Sequence, residues 1–163
     1  MQKTTMQLPE IKLIGITART NNTLEMDPDT AKIGGTIQQY FHRELAEKMT
    51  QRKNPGITYC VYTEYESDFT GDYTYFIGEE VTSFANLPKI FTELTIAPQT
   101  YAKYTSNAGP MPLVCINMWQ KIWQMTAEEF GGNRSYKTDF ELYDQRAKDP
   151  QNVVLDIFIG VDK

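Results

Sequence analysis

The chain has 163 residues, 40% of them hydrophobic and 23% charged, the composition of a globular protein of about one domain. Sixteen Lys and Arg against 21 Asp and Glu give a net charge of −5, which works against nucleic-acid binding and mildly favours cationic partners. No apolar run approaches the ~20 residues of a bilayer span, and "MQKTTMQLPEIKLIG" lacks the apolar core and cleavage site of a signal peptide, so no membrane association and a cytoplasmic location are expected.

In chain order, "IKLIGITART" (11–20) is apolar and predicts a strand, followed by the polar loop "NNTLEMDPDT". Ile33, Ile37, Phe41 and Leu45 recur every four residues, the stripe of an amphipathic helix running to about Thr50. After the "NPG" turn, "ITYCVYTEYE" and "YTYFIGEEV" are rich in β-branched and aromatic residues and predict two strands around the turn "SDFTGD". The order then repeats. A strand is expected at 99–106, a helix over "MPLVCINMWQKIWQM", a loop at "GGNRSYK", and strands at "TDFELYD" and "VVLDIFIGVDK". "YFIGEE" (75–80) matches "IFIGVD" (157–162). The fold class is therefore α+β, with duplicated β-α-β-β modules at about 11–82 and 99–161 in a single domain. Two such units would bury their apolar faces together, and a cleft is expected at their junction.

Metal and cofactor signals are absent. Cys60 and Cys115 form no CxxC pair and read as packed thiols, and the sole histidine, His42, has no partner at ligand spacing. No GxGxxG, P-loop, GxSxG or HExxH spacing occurs. The binding signal lies in the second half. Trp119 and Trp123 are four residues apart on one helix face, beside a second stripe of Cys115, Met118, Ile122 and Met125. This band is wider than a helix covering a sheet needs, so either both stripes are core or the tryptophans wall a cleft. In "TDFELYDQR", Glu141 and Tyr143 share one strand face while Phe140 and Leu142 share the other. If that face meets water, Glu141 is a solvated strand residue. If it meets the cleft, a carboxylate among rings forms a receptor for a lipophilic cation.

The segments "YTEYESDFTGDYTYFIGEEV", "PQTYAKYTSNAGP", "WQKIWQM", "DFELYD" and "VVLDIFIGV" resemble the effector-binding domain family. It comprises gyrase-inhibitory-protein-like domains, the C-terminal domains of AraC-type and MerR-type multidrug regulators, and free-standing members on integron gene cassettes. The resemblance covers about 11–161. It implies two β-α-β-β modules related by a pseudo-two-fold, with a ligand cleft between their helices. It also implies that Glu141 is the pocket acid, with Trp119, Trp123, Tyr143 and Phe158 as walls, Phe76 as the symmetry mate of Phe158, and Ile37, Phe41 and Tyr65 contributed by the first half. A small hydrophobic or cationic ligand is the expected partner. Only ten residues precede Ile11, so a DNA-binding role would need a separate chain. Weak hydrolysis of cyclopropane-type compounds and protein-interaction roles, such as gyrase inhibition or co-regulation, are the alternatives the resemblance carries.

Overall fold

The computed structural model describes residues 1–162. Nine strands run as β1 (Gln2–Leu8), β2 (Ile11–Thr20), β3 (Thr58–Thr63), β4 (Tyr73–Glu80), β5 (Thr92–Ile96), β6 (Gln99–Thr105), β7 (Asn133–Arg134), β8 (Thr138–Tyr143) and β9 (Asp156–Asp162). The helices are α1 (Asn22–Glu25), α2 (Ile33–His42), α3 (Leu113–Trp123) and α4 (Ala127–Phe130). None of these helices is long and apolar enough to cross a membrane.

The strands form one antiparallel sheet in the order β1-β6-β9-β8-β3-β4-β2-β5, with β7 added beside β9, so the class is α+β. The order reads the same from both edges if β1 exchanges with β5, β2 with β6, β3 with β8 and β4 with β9. The register agrees: Val61 pairs with Phe76 as Phe140 pairs with Phe158, and Val61 pairs with Phe140 across the centre. A pseudo-two-fold therefore passes through the Val61–Phe140 pair. It superposes Phe76 on Phe158, Gly78 on Gly160, and Tyr62 on Glu141. The shared "FIG" glycine has a steric cause. A Cβ at Gly78 would lie 1.9 Å from the Ile14 carbonyl oxygen, and one at Gly160 would lie 2.5 Å from Gln99 Nε2.

Three buried clusters hold the sheet. One lies with α3 and includes Met118, Trp119, Ile122, Leu155, Ile157 and Ile159. A second lies with α2 and includes Ile14, Tyr40, Leu45, Tyr73, Tyr75 and Ile77. The third contains no helix residue: Leu13, Tyr59, Val61, Phe76, Tyr101, Phe140 and Phe158 form it on the other sheet face. Each fully buried side chain of this size contributes about 1.5–3 kcal/mol.

Several expectations are corrected at element ends. The first long helix stops at His42, because Glu44 adopts a left-handed backbone (φ 49°), and the chain continues as a 3-10 turn over Leu45–Lys48. Leu45 is nonetheless fully buried, so the apolar period outlasts the helix. The loop "NNTLEMDPDT" begins with α1, whose Asn21 side chain accepts from Leu24 N. The loop "GGNRSYK" contains β7. It follows α4, which carries a Thr126–Glu129 capping box and ends on Gly131 at φ 77°.

Candidate functional site

Glu141 lies in β8 at the centre of the sheet, opposite Cys60 on β3 and Ile157 on β9. Its side faces the helices, and it is 4% exposed. Oε2 accepts from the Tyr62 hydroxyl and the Trp119 indole Nε1, both at 2.7 Å, and Oε1 accepts from the Tyr143 hydroxyl at 2.6 Å. Among the described residues no Lys, Arg or His lies within 4.0 Å of it, whereas Glu79, Asp139 and Asp156, the other well-buried acids, each have a basic partner. Burying an ion costs several kcal/mol. Three hydrogen bonds to a charged acceptor, each about 1.5–3 kcal/mol, offset that cost without neutralising the charge.

The surrounding groups respond to the same field. Burial, and then the Glu141 charge, push the Tyr62 and Tyr143 hydroxyls well above the usual tyrosine range. Burial and then Glu141 also raise the Cys60 and Cys115 thiols. These groups are therefore neutral donors at physiological pH rather than activated nucleophiles.

One cavity adjoins the carboxylate and a second adjoins two of its donors. The first, about 450 Å³, is lined by Ile37 and Phe41 of α2, by Cys60, Glu141 and Tyr143 of the sheet, and by Met111 and the 144–153 segment. The second, about 230 Å³, is lined by Ile33 of α2, by Tyr62, Tyr65 and Tyr73, by Cys115, Ile116, Trp119 and Trp123 of α3, and by Glu25, Phe69 and Arg134. Tyr62 and Trp119 line the second cavity while bonding the acid of the first, so the Tyr62–Trp119–Glu141–Tyr143 group is a wall between them. Tyr62 and Trp119 meet edge to face at 5.1 Å, and Trp119 lies 6.5 Å from the half-exposed Trp123.

The residues singled out in the sequence thus divide. Glu141, Tyr143, Ile37 and Phe41 line the first cavity, and Trp119, Trp123 and Tyr65 line the second. Phe158 and Phe76 line neither, which corrects their expected place in the cleft. Phe140 points away from Glu141 by strand alternation, and Phe158 stacks on it at 4.4 Å in the third cluster. Phe76, mate of Phe158, belongs to the same cluster.

Tyr62 and Arg134 were not singled out. Tyr62 carried a signal, since it alternates with Val61 onto the face of Cys60. Arg134 carried none, because β7 is two residues long. Its Nη2 donates to Asp139 Oδ2 at 2.7 Å, and Asp139 also accepts from the Tyr65 hydroxyl (2.7 Å) and Gly160 N (2.8 Å). Burial works against the Arg134 charge, but the Asp139 carboxylate together with the Tyr65 and Tyr136 hydroxyls outweighs it and holds the guanidinium above its ordinary value.

A duplicated antiparallel sheet with an acid-bearing aromatic cleft beside its helices is the architecture of an effector-binding module. The sequence profile of the integron-associated effector binding proteins (Cass2) matches residues 5–161, and the chain belongs to that family. Among solved structures it resembles an integron cassette protein from the mobile metagenome of Vibrio cholerae, at 30% identity, a TM-score of 0.79, and coverage of 98% of this chain and 95% of that one. It shares its fold with SAV2435, a structure solved bound to tetraphenylphosphonium (20% identity, TM-score 0.77, 99% of this chain and 94% of that one). YobU of Bacillus subtilis (strain 168), named for an inferred role as a transcriptional regulator protein, is 26% identical over 93% of this chain and 92% of its own length. The transcriptional regulator BrlR of Pseudomonas aeruginosa is 26% identical over 78% of this chain, a match that spans 47% of BrlR.

Proposed function

We propose that the chain binds lipophilic organic cations, with Glu141 as the charge partner. The observation that carries this reading is a buried carboxylate satisfied by neutral donors, with no basic side chain of the described residues within 4.0 Å, beside a cavity whose lining holds one cation, Lys148. Tyr143, Phe41 and Ile37 form the apolar surface of the first cavity, and Tyr62 and Trp119 close it where it meets the second. Each well-placed ring adds ~0.5–2 kcal/mol by cation–π attraction, and the −5 net charge favours approach of a cation. SAV2435, of the same fold, holds tetraphenylphosphonium, a cation of this class, which supports the ligand type.

The regulator names of YobU and BrlR support a sensing role, in which ligand occupancy is passed to a separate DNA-binding chain. Direct DNA contact is disfavoured by the acidic balance.

The test is calorimetric titration with tetraphenylphosphonium. Wild type should bind saturably, and Glu141→Gln should bind at least about tenfold more weakly, about 1.4 kcal/mol. Equal affinity in the variant would remove Glu141 from the site.

A further inference from the structure

The second cavity holds a buried cation whose donors are only partly used. The Arg134 side chain is 9% exposed and spends Nη2 on Asp139. Its face lies on the Tyr136 ring, 4.4 Å from the centroid. Nε is buried without a partner and closed to a ligand, whereas Nη1 has no protein acceptor among the described residues and is not closed off, so Nη1 is the donor an outside group can reach. Asp139 has no spare role to offer, being already engaged by Tyr65 and Gly160 N as well. An arginine carries five N–H donors, and those on Nη1 find their acceptor only in solvent or a ligand. The arrangement therefore suits an acceptor from outside the chain.

The walls define what carries that acceptor. Tyr62, Tyr65, Tyr73, Trp119 and Trp123 surround the cavity with ring faces and edges, and its volume of about 230 Å³ accommodates a fused two- or three-ring system. Asp139 already balances the Arg134 charge. Glu25, which accepts from Lys32 N and Ile33 N, adds negative charge to the lining. An anionic ligand is thus disfavoured, and a neutral carbonyl is the acceptor that fits.

We propose that the second cavity is a separate ligand site for uncharged, planar, fused-ring aromatic compounds bearing a carbonyl group, with Arg134 as the hydrogen-bond donor and Trp119 and Trp123 as the stacking wall. The cleft is then two sites of opposite character meeting at the Tyr62–Trp119 wall: an acid for cations on one side, a donor for neutral carbonyls on the other. The second site does not require the first to bind a cation.

Two planar probes that differ only in a carbonyl, 9-fluorenone and fluorene, test this by equilibrium dialysis against the full chain. Wild type should take up one 9-fluorenone per chain, at least about tenfold more tightly than fluorene. Arg134→Lys, which keeps a cation for Asp139 but loses the planar fork of donors, should erase that preference. Equal affinity of the two probes for wild type overturns the proposal without recourse to any variant, as does absence of saturable 9-fluorenone binding. An Arg134→Lys protein that unfolds cooperatively and keeps the preference also overturns it. Tetraphenylphosphonium titrated against wild type and Glu141→Gln separates the two readings, because its insensitivity to that change would sink the cation site and leave the carbonyl site standing.

Discussion

Tyr62 and Glu141 occupy the same position under the pseudo-two-fold, and the Tyr62 hydroxyl donates to Glu141 Oε2 at 2.7 Å. One half thus supplies the charge and the other supplies a donor that holds it. The symmetry of the backbone is kept while the chemistry of the two cavities diverges. Tyr62→Phe removes this donor with little change in shape. It should lower stability by about 1.5–3 kcal/mol, the range for a hydrogen bond to a charged group, read as a reduced urea midpoint at unchanged m.

Phe158 and Trp123 separate packing from binding. Phe158 is buried against Phe140 on the far face, so Phe158→Ala should cost about 3–5 kcal/mol and leave tetraphenylphosphonium affinity of the folded protein unchanged. Trp123 is 55% exposed. Trp123→Ala should cost under about 1 kcal/mol of stability yet weaken 9-fluorenone binding in the second cavity severalfold. Urea titration and calorimetry on both variants check the contrast.

Asp139 is the hub that fixes Arg134, Tyr65 and the β9 backbone. Asp139→Ala strands a buried guanidinium and should destabilise by about 3–5 kcal/mol. That outcome is read from chemical denaturation, where an effect below about 1 kcal/mol would show the ion pair to be dispensable.

Glu79 predicts a pH dependence. Burial lifts its carboxyl above the usual range, against the opposing pull of Arg52, and Oε1 has no partner. The folded state therefore holds this proton more tightly than the unfolded chain does, so stability falls as pH rises from the ordinary carboxylate value through the raised one. Glu79→Gln should remove that part of the slope. Denaturation midpoints from about pH 4 to about pH 7 test it, and parallel profiles for variant and wild type would contradict it.

Strands with a clear apolar or aromatic pattern were legible: β2 falls where Ile11–Thr20 predicts it, and "TDFELYD" and the "FIG" segments lie in β8, β4 and β9. The two edge strands were not. β1 (QKTTMQL) and β5 (TELTI) are mostly exposed and polar, so no hydrophobic period announces them, and only pairing to β6 and β2 makes them strands. The Glu141–Tyr143 face was legible from alternation, which also places Phe140 on the other face. The same rule, carried across the Phe140–Phe158 pair, would have kept Phe158 and Phe76 out of the cleft. Arg134 was invisible because its burial depends on the turn at Gly131 and on an acid five residues away that meets it only in the folded sheet.

The most direct measurement compares a cation with a neutral compound of similar bulk, tetraphenylphosphonium against triphenylphosphine oxide, on wild type and on Glu141→Gln. The account predicts a cation preference of at least about tenfold in wild type that collapses in the variant. A preference of the same size in both proteins would contradict it, because the charge that selects the ligand would then lie elsewhere.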